Sequence, residues 1–130
     1  MKFSATSGSI LWLAGFIMVV VFSLKPDFGP RGEYHVDVLL HFATYFFLAY
    51  LPFSIPISTW IRTAKIAALA AFGLGSEALQ YFMPGRSASI SDGAANIAGI
   101  GVAILIVWII ANRAQVGGET AEIGGDRQIN

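Results

Sequence analysis

Long apolar runs alternate with short polar breaks along this chain. The runs cover about residues 8–24, 36–57, 60–83 and 93–111. A hydrocarbon core of ~30 Å is crossed by about 20 helical residues, so each run has the length of a membrane span. Lys25-Pro26 stops the first run and Pro84-Gly85 the third. Pro52 and Pro56 bend or end the second, because proline lacks a backbone donor. Residues 113–130 are polar and Gly-rich and read as a disordered tail. The pattern predicts an all-α integral membrane bundle of four transmembrane helices, forming a single domain over residues 1–112.

Composition supports this reading. The chain has 130 residues, of which 55% are hydrophobic and 12% charged, against roughly 25% charged in soluble domains. Its net charge is zero, which removes the electrostatic case for nucleic acid as a partner. With no cysteine, disulfides, thiolate metal sites and a cysteine nucleophile are excluded. Lys2 ahead of an apolar run gives the N-terminus the look of a signal peptide. The exit SLKPDFG lacks an A-x-A-like cleavage site, however, and further spans follow, so the segment reads as a retained first helix.

The connection between the second and third runs is very short, which predicts antiparallel neighbours. The loops 27–35 and 84–91 then lie on one side of the membrane. Lys2, Arg62, Lys65, Arg113 and Arg127 fall on the other side, opposite Lys25, Arg31 and Arg86. That bias predicts cytoplasmic N- and C-termini. Ala67, Ala71 and Gly75 recur every four residues in the third run, and Ala95, Gly99 and Ala103 in the fourth. Such stripes let helix backbones approach closely in lipid.

Against this background the stretch EALQYFMPGRSASISDGAANIAG, residues 77–99, stands out. Ionisable groups at membrane depth cost roughly 2.5–3.5 kcal/mol each on insertion scales. Glu77 and Gln80 share a face near the end of the third helix, and Asp92 and Asn96 share one at the start of the fourth. Asp37, His41 and Tyr45 in DVLLHFATY are four apart, so they lie on one face, each about 6 Å from the last. In an up-down bundle these three helix ends meet, which predicts a polar cluster at the outer end of helices two, three and four. Each group also has a plainer role. Asp37 and Asp92 suit N-caps, His41 a buried neutral histidine, and Tyr45 the core. Gln80 and Asn96 suit interhelical hydrogen bonding, and Arg86 an interfacial anchor. A carboxyl as deep as Glu77 needs a partner, such as His41 or Arg86, or must be protonated.

Two separated motifs resemble the VanZ-like family of small bacterial membrane proteins. One is D-x-x-x-H-F-x-x-Y, present as residues 37–45. The other is E-x-x-Q-x-F-x-P-G-R-x-x-S-x-x-D-x-x-x-N-x-x-G, present as residues 77–99, and the SLKP at 23–26 fits as well. The resemblance implies a multi-pass protein of the bacterial inner membrane. It also implies a link to glycopeptide resistance, especially to teicoplanin, without implying a reaction. Its motif residues are Asp37, His41, Tyr45, Glu77, Gln80, Arg86, Asp92 and Asn96.

Three functions compete. The first is a pocket for an anionic amphiphile such as a membrane lipid, a lipid-linked envelope precursor or a glycopeptide. Arg86 would take phosphate or carboxylate, with Gln80, Asn96, Asp92 and Tyr45 completing the site. The second is a hydrolase or transferase on a lipid-linked substrate. Here Glu77 and His41 form an acid–base pair and Asp37 orients His41. The third is a structural scaffold within a membrane complex. A metal would have to use Asp37, His41 and Glu77, which carry no recognisable metal signature, so no metal or cofactor is expected. A homodimer is plausible, since four short helices bury little surface alone.

Overall fold

The computed structural model describes residues 3–24, 34–80, 82 and 89–126. Among these the chain is all-helical: α1 (Ala5–Leu24), α2 (Tyr34–Tyr50), a 3-10 turn at Leu51–Phe53, α3 (Thr59–Gln80) and α4 (Ile90–Asp126). Among the described residues three segments are long and apolar enough to cross a membrane: Ala5–Ser23, Val36–Phe53 and Ile90–Gln115. α3 is 22 residues long but less apolar, because it carries Arg62, Lys65 and Glu77. Three of the four expected spans are therefore clear by composition. α4 also runs on to Asp126, through most of the stretch expected to be a disordered tail. No proline interrupts it, and Ala, Gln and Glu propagate an established helix at little cost despite the glycines.

The prolines end α2 sooner than the apolar run does, and they also tie its end to the rest of the bundle. Pro52 has no N–H to give to the carbonyl of Leu48, four residues earlier. That carbonyl accepts instead from the indole N–H of Trp12 on α1, at 2.8 Å. Pro56 likewise gives nothing to the carbonyl of Pro52, which accepts from Arg62 Nε at 3.2 Å. Two carbonyls freed by proline thus become docking points for α1 and α3. Around them lies a core of Trp12, Val19, Tyr45, Leu48, Ala49, Leu69, Ile100 and Ala103.

The most extensive helix pairing is α2 with α4, rather than α2 with the α3 that follows it. The two run parallel, because the early residues of each meet. The cause is the small-residue stripe on α4. Ala95 and Ala103 are buried, and a Cβ on Gly99 would lie 2.5 Å from the Phe42 carbonyl oxygen and 2.9 Å from the Phe46 nitrogen. Only glycine admits so close a backbone. The matching stripe on α3 does not form a seam within the chain. Ala67 and Ala71 are exposed, and a Cβ at Gly75 would meet open space. α3 makes its close approach through Gly73, where a Cβ would lie 2.6 Å from Cε1 of Tyr45.

Candidate functional site

Polar groups from α2, α3 and α4 converge at the ends of the helices joined by residues 81–89, as the spacing predicts. The outermost are Asp37, in the first turn of α2, and Asp92, in the first turn of α4. One turn deeper, His41 Nε2 lies 3.9 Å from Asp37 Oδ1, and His41 Nδ1 is hydrogen-bonded to Asn96 Oδ1 at 3.0 Å. Asn96 is 0% exposed, and its Nδ2 donates to the carbonyl of Gly73 on α3 at 3.3 Å. Ser76 Oγ, also buried, donates to that same carbonyl. A polar chain therefore crosses the bundle from Asp37 through His41 and Asn96 to the α3 backbone.

This chain fixes protons as well as positions. A carbonyl oxygen only accepts, so the Asn96 NH2 must face Gly73 and its Oδ1 must face His41. An amide oxygen also only accepts, so His41 Nδ1 carries the proton. In the neutral imidazole the lone pair then sits on Nε2, on the side of Asp37.

Tyr45 lies another turn inward and is 1% exposed. Its hydroxyl is buried without a hydrogen-bond partner among the described residues, against the space left by Gly73. Its fit to Gly73 gives it the core role, while the unsatisfied hydroxyl leaves it short of full satisfaction.

Glu77 does not pair with His41. Its Oε2 accepts the backbone N–H of Ser89 at 3.0 Å. Ser89 precedes α4, and its Oγ accepts the N–H of Asp92 at 3.3 Å. Ser89 is thus the N-cap of α4, and Asp92, expected as a cap, stands three residues inside it. In a capping box the third helical residue reaches back to the cap's own N–H. Here Glu77, from a different helix, takes that place, and its charge faces the positive end of α4. The acid–base pair proposed for Glu77 and His41 is therefore replaced by two separate pairings. The carboxylates near His41 are Asp37 and Asp92.

The other oxygen, Glu77 Oε1, is buried without a hydrogen-bond partner among the described residues. Glu77 and Ser89 form the polar end of a cleft of about 690 Å³ between α3 and α4. Leu74, Ala78, Ile90, Gly93, Ala94 and Ile97 complete its lining. Arg86 and the side chain of Gln80 lie outside the described residues. Sequence reasoning missed the roles of Ser76 and Ser89. The S-x-x-D pattern of residues 89–92 was the available signal for the cap, since a short hydroxyl three residues before an acidic one marks a helix start. The Ser76 bond is a local one, a helical serine bonding back to the carbonyl three residues earlier.

A model of the VanZ/LLP1 family matches residues 10–111. No curated protein and no solved structure matches.

Proposed function

Since the chain belongs to the VanZ/LLP1 family, we propose that it binds the headgroup end of a cell-envelope amphiphile in the cleft between α3 and α4. The observation that carries this reading is Glu77 Oε1, an acceptor buried without a partner among the described residues, at the polar end of an otherwise apolar cleft. A buried acceptor left unsatisfied costs about 1–3 kcal/mol, which a ligand donor would recover. Alkyl chain would lie along Leu74, Ala78, Ala94 and Ile97. A hydroxyl, amide or amine of the headgroup would donate to Glu77.

This chemistry narrows the ligand. A bare anionic headgroup meets a carboxylate unfavourably at Glu77. A phosphate- or carboxylate-bearing amphiphile that also carries sugar hydroxyls or amides satisfies both Glu77 and Arg86. Lipid-linked envelope precursors and glycopeptides have that combination. Arg86 is assigned the anion from its place in the sequence, three residues before the Ser89 cap, because guanidinium forms bidentate bonds with phosphate and carboxylate. An accessory part in envelope processes, including teicoplanin resistance, follows from this reading and from the family resemblance. In this proposal α3 is the fourth span, the cleft opens at the outer face of the inner membrane, and both termini are cytoplasmic. Arg62 and Lys65 sit within two turns of the α3 start, from where long basic side chains reach the interface.

The test is binding of a phosphate-linked polyprenyl saccharide and of phosphatidylglycerol to the full chain in nanodiscs. The saccharide should bind more tightly than phosphatidylglycerol. Glu77→Gln, which turns the orphan acceptor toward a donor, and Arg86→Ala should each weaken saccharide binding about tenfold, or ~1.4 kcal/mol. Equal binding of both lipids, unaffected by either change, would overturn the proposal.

A further inference from the structure

We propose that Asp37, His41 and Asp92 form a binding site for a divalent transition-metal ion of the zinc class, at the end of the α2–α4 seam. One ligand atom from each of the three residues lies within 4.8 Å of the others. They come from two helices whose relative position is held by the backbone approach at Gly99, so the grouping does not depend on a loop.

The second observation lies outside the trio. Asn96, fixed by its donation to the Gly73 carbonyl, obliges His41 to carry its proton on Nδ1. The Nε2 lone pair is then left on the carboxylate side. Metal-binding histidines show the same arrangement: the nitrogen away from the ion donates to an oxygen acceptor, which sets the tautomer and the ring plane. At 3.9 Å, the Nε2–Asp37 Oδ1 separation is too long for a direct hydrogen bond and close to the spacing of two ligands on one ion.

One imidazole and two carboxylates suit zinc better than calcium, which takes oxygen ligands alone. Three protein ligands leave a coordination position open. The trio is half-buried, with side-chain exposures of 20% for His41 and 45% for Asp37, so that position is reachable from the end of the bundle. The site is separate from the Glu77 cleft and does not rest on lipid binding.

The experiment is titration of the full chain, in phosphatidylcholine nanodiscs, with Zn2+ and with Ca2+. About one Zn2+ per chain should bind with a micromolar dissociation constant, and Ca2+ at least about 100-fold more weakly. Asp37→Asn and His41→Ala should each weaken Zn2+ at least tenfold, while His35→Gln, a change at the other histidine of the chain, should retain it. X-ray absorption of the zinc-loaded wild type should show a single imidazole among oxygen ligands, a readout that stands even where a variant fails to fold. Absence of uptake by wild type, uptake that survives both His41→Ala and Asp37→Asn, or a spectrum without imidazole would each overturn the proposal.

Discussion

Glu77 on α3 accepts the backbone N–H of Ser89, the residue that caps α4, at 3.0 Å. Two helices separated by a nine-residue connection are therefore joined at their ends by a carboxylate and an amide. Removal of the carboxylate by Glu77→Ala leaves that amide without its acceptor and should cost about 1–3 kcal/mol. Glu77→Gln keeps an acceptor oxygen and should lose less than half as much. Thermal unfolding in detergent, followed by circular dichroism, ranks the two.

Ser89→Ala removes one of the two acceptors of the Asp92 N–H, the side-chain Oγ, and leaves the Ser89 carbonyl at 3.1 Å. The expected loss is about 1 kcal/mol, as for other N-caps, and Ser89→Asp should restore most of it. Amide exchange at residues 90–93 gives the local readout. Faster exchange there, with no change in α2, is the expected pattern.

Trp12 and Pro52 are coupled through the Leu48 carbonyl. Trp12→Phe removes the indole donor and leaves the carbonyl unsatisfied, at about 1–3 kcal/mol. Pro52→Ala supplies an intrahelical N–H to the same carbonyl. In that background Trp12→Phe should cost at least about 1 kcal/mol less, a coupling that a double-mutant cycle measures directly.

Gly99→Ala forces a methyl group to within 2.5 Å of the Phe42 carbonyl oxygen. The atoms it meets, Phe42 O and Phe46 N, belong to the α2 backbone, so no side chain can swing aside. The α2–α4 seam should open, with a loss of about 2 kcal/mol or more. Ala103→Gly, on the same stripe, should cost only about 1 kcal/mol. Denaturation of both variants in mixed micelles makes the comparison.

Asn96→Leu removes the group that holds the His41 tautomer. The interhelical bonds lost are worth about 0.6–1.7 kcal/mol in a membrane. In 15N spectra of the imidazole, wild type should show one neutral form, protonated at Nδ1. The variant should show a mixture of both.

Much of this was legible in the chain. Apolar runs of about 20 residues located all four helices, and Pro52 marked the end of α2. The four-residue spacing of Asp37 and His41 placed them on one face, and Asp92 and Asn96 on another. Less legible were the partners. Glu77 and His41 fall at similar depths, and their opposite chemistry makes them an obvious pair. In the folded chain each turns to a different neighbour, Ser89 for one and Asn96 for the other. The two small-residue stripes are equally plain in sequence, yet only the one on α4 meets a backbone.

The physical reason is geometric. A helix rises 1.5 Å per residue, so sequence position alone determined how far along its own helix each described polar side chain lies. It left open the rotation of each helix about its own axis and the choice of neighbours. Those were decided by tertiary packing, where Gly99 admits the backbone of α2 and Gly73 admits Tyr45. With both close approaches made, His41, Asn96 and Gly73 fall in line, and Glu77 is turned to the start of α4.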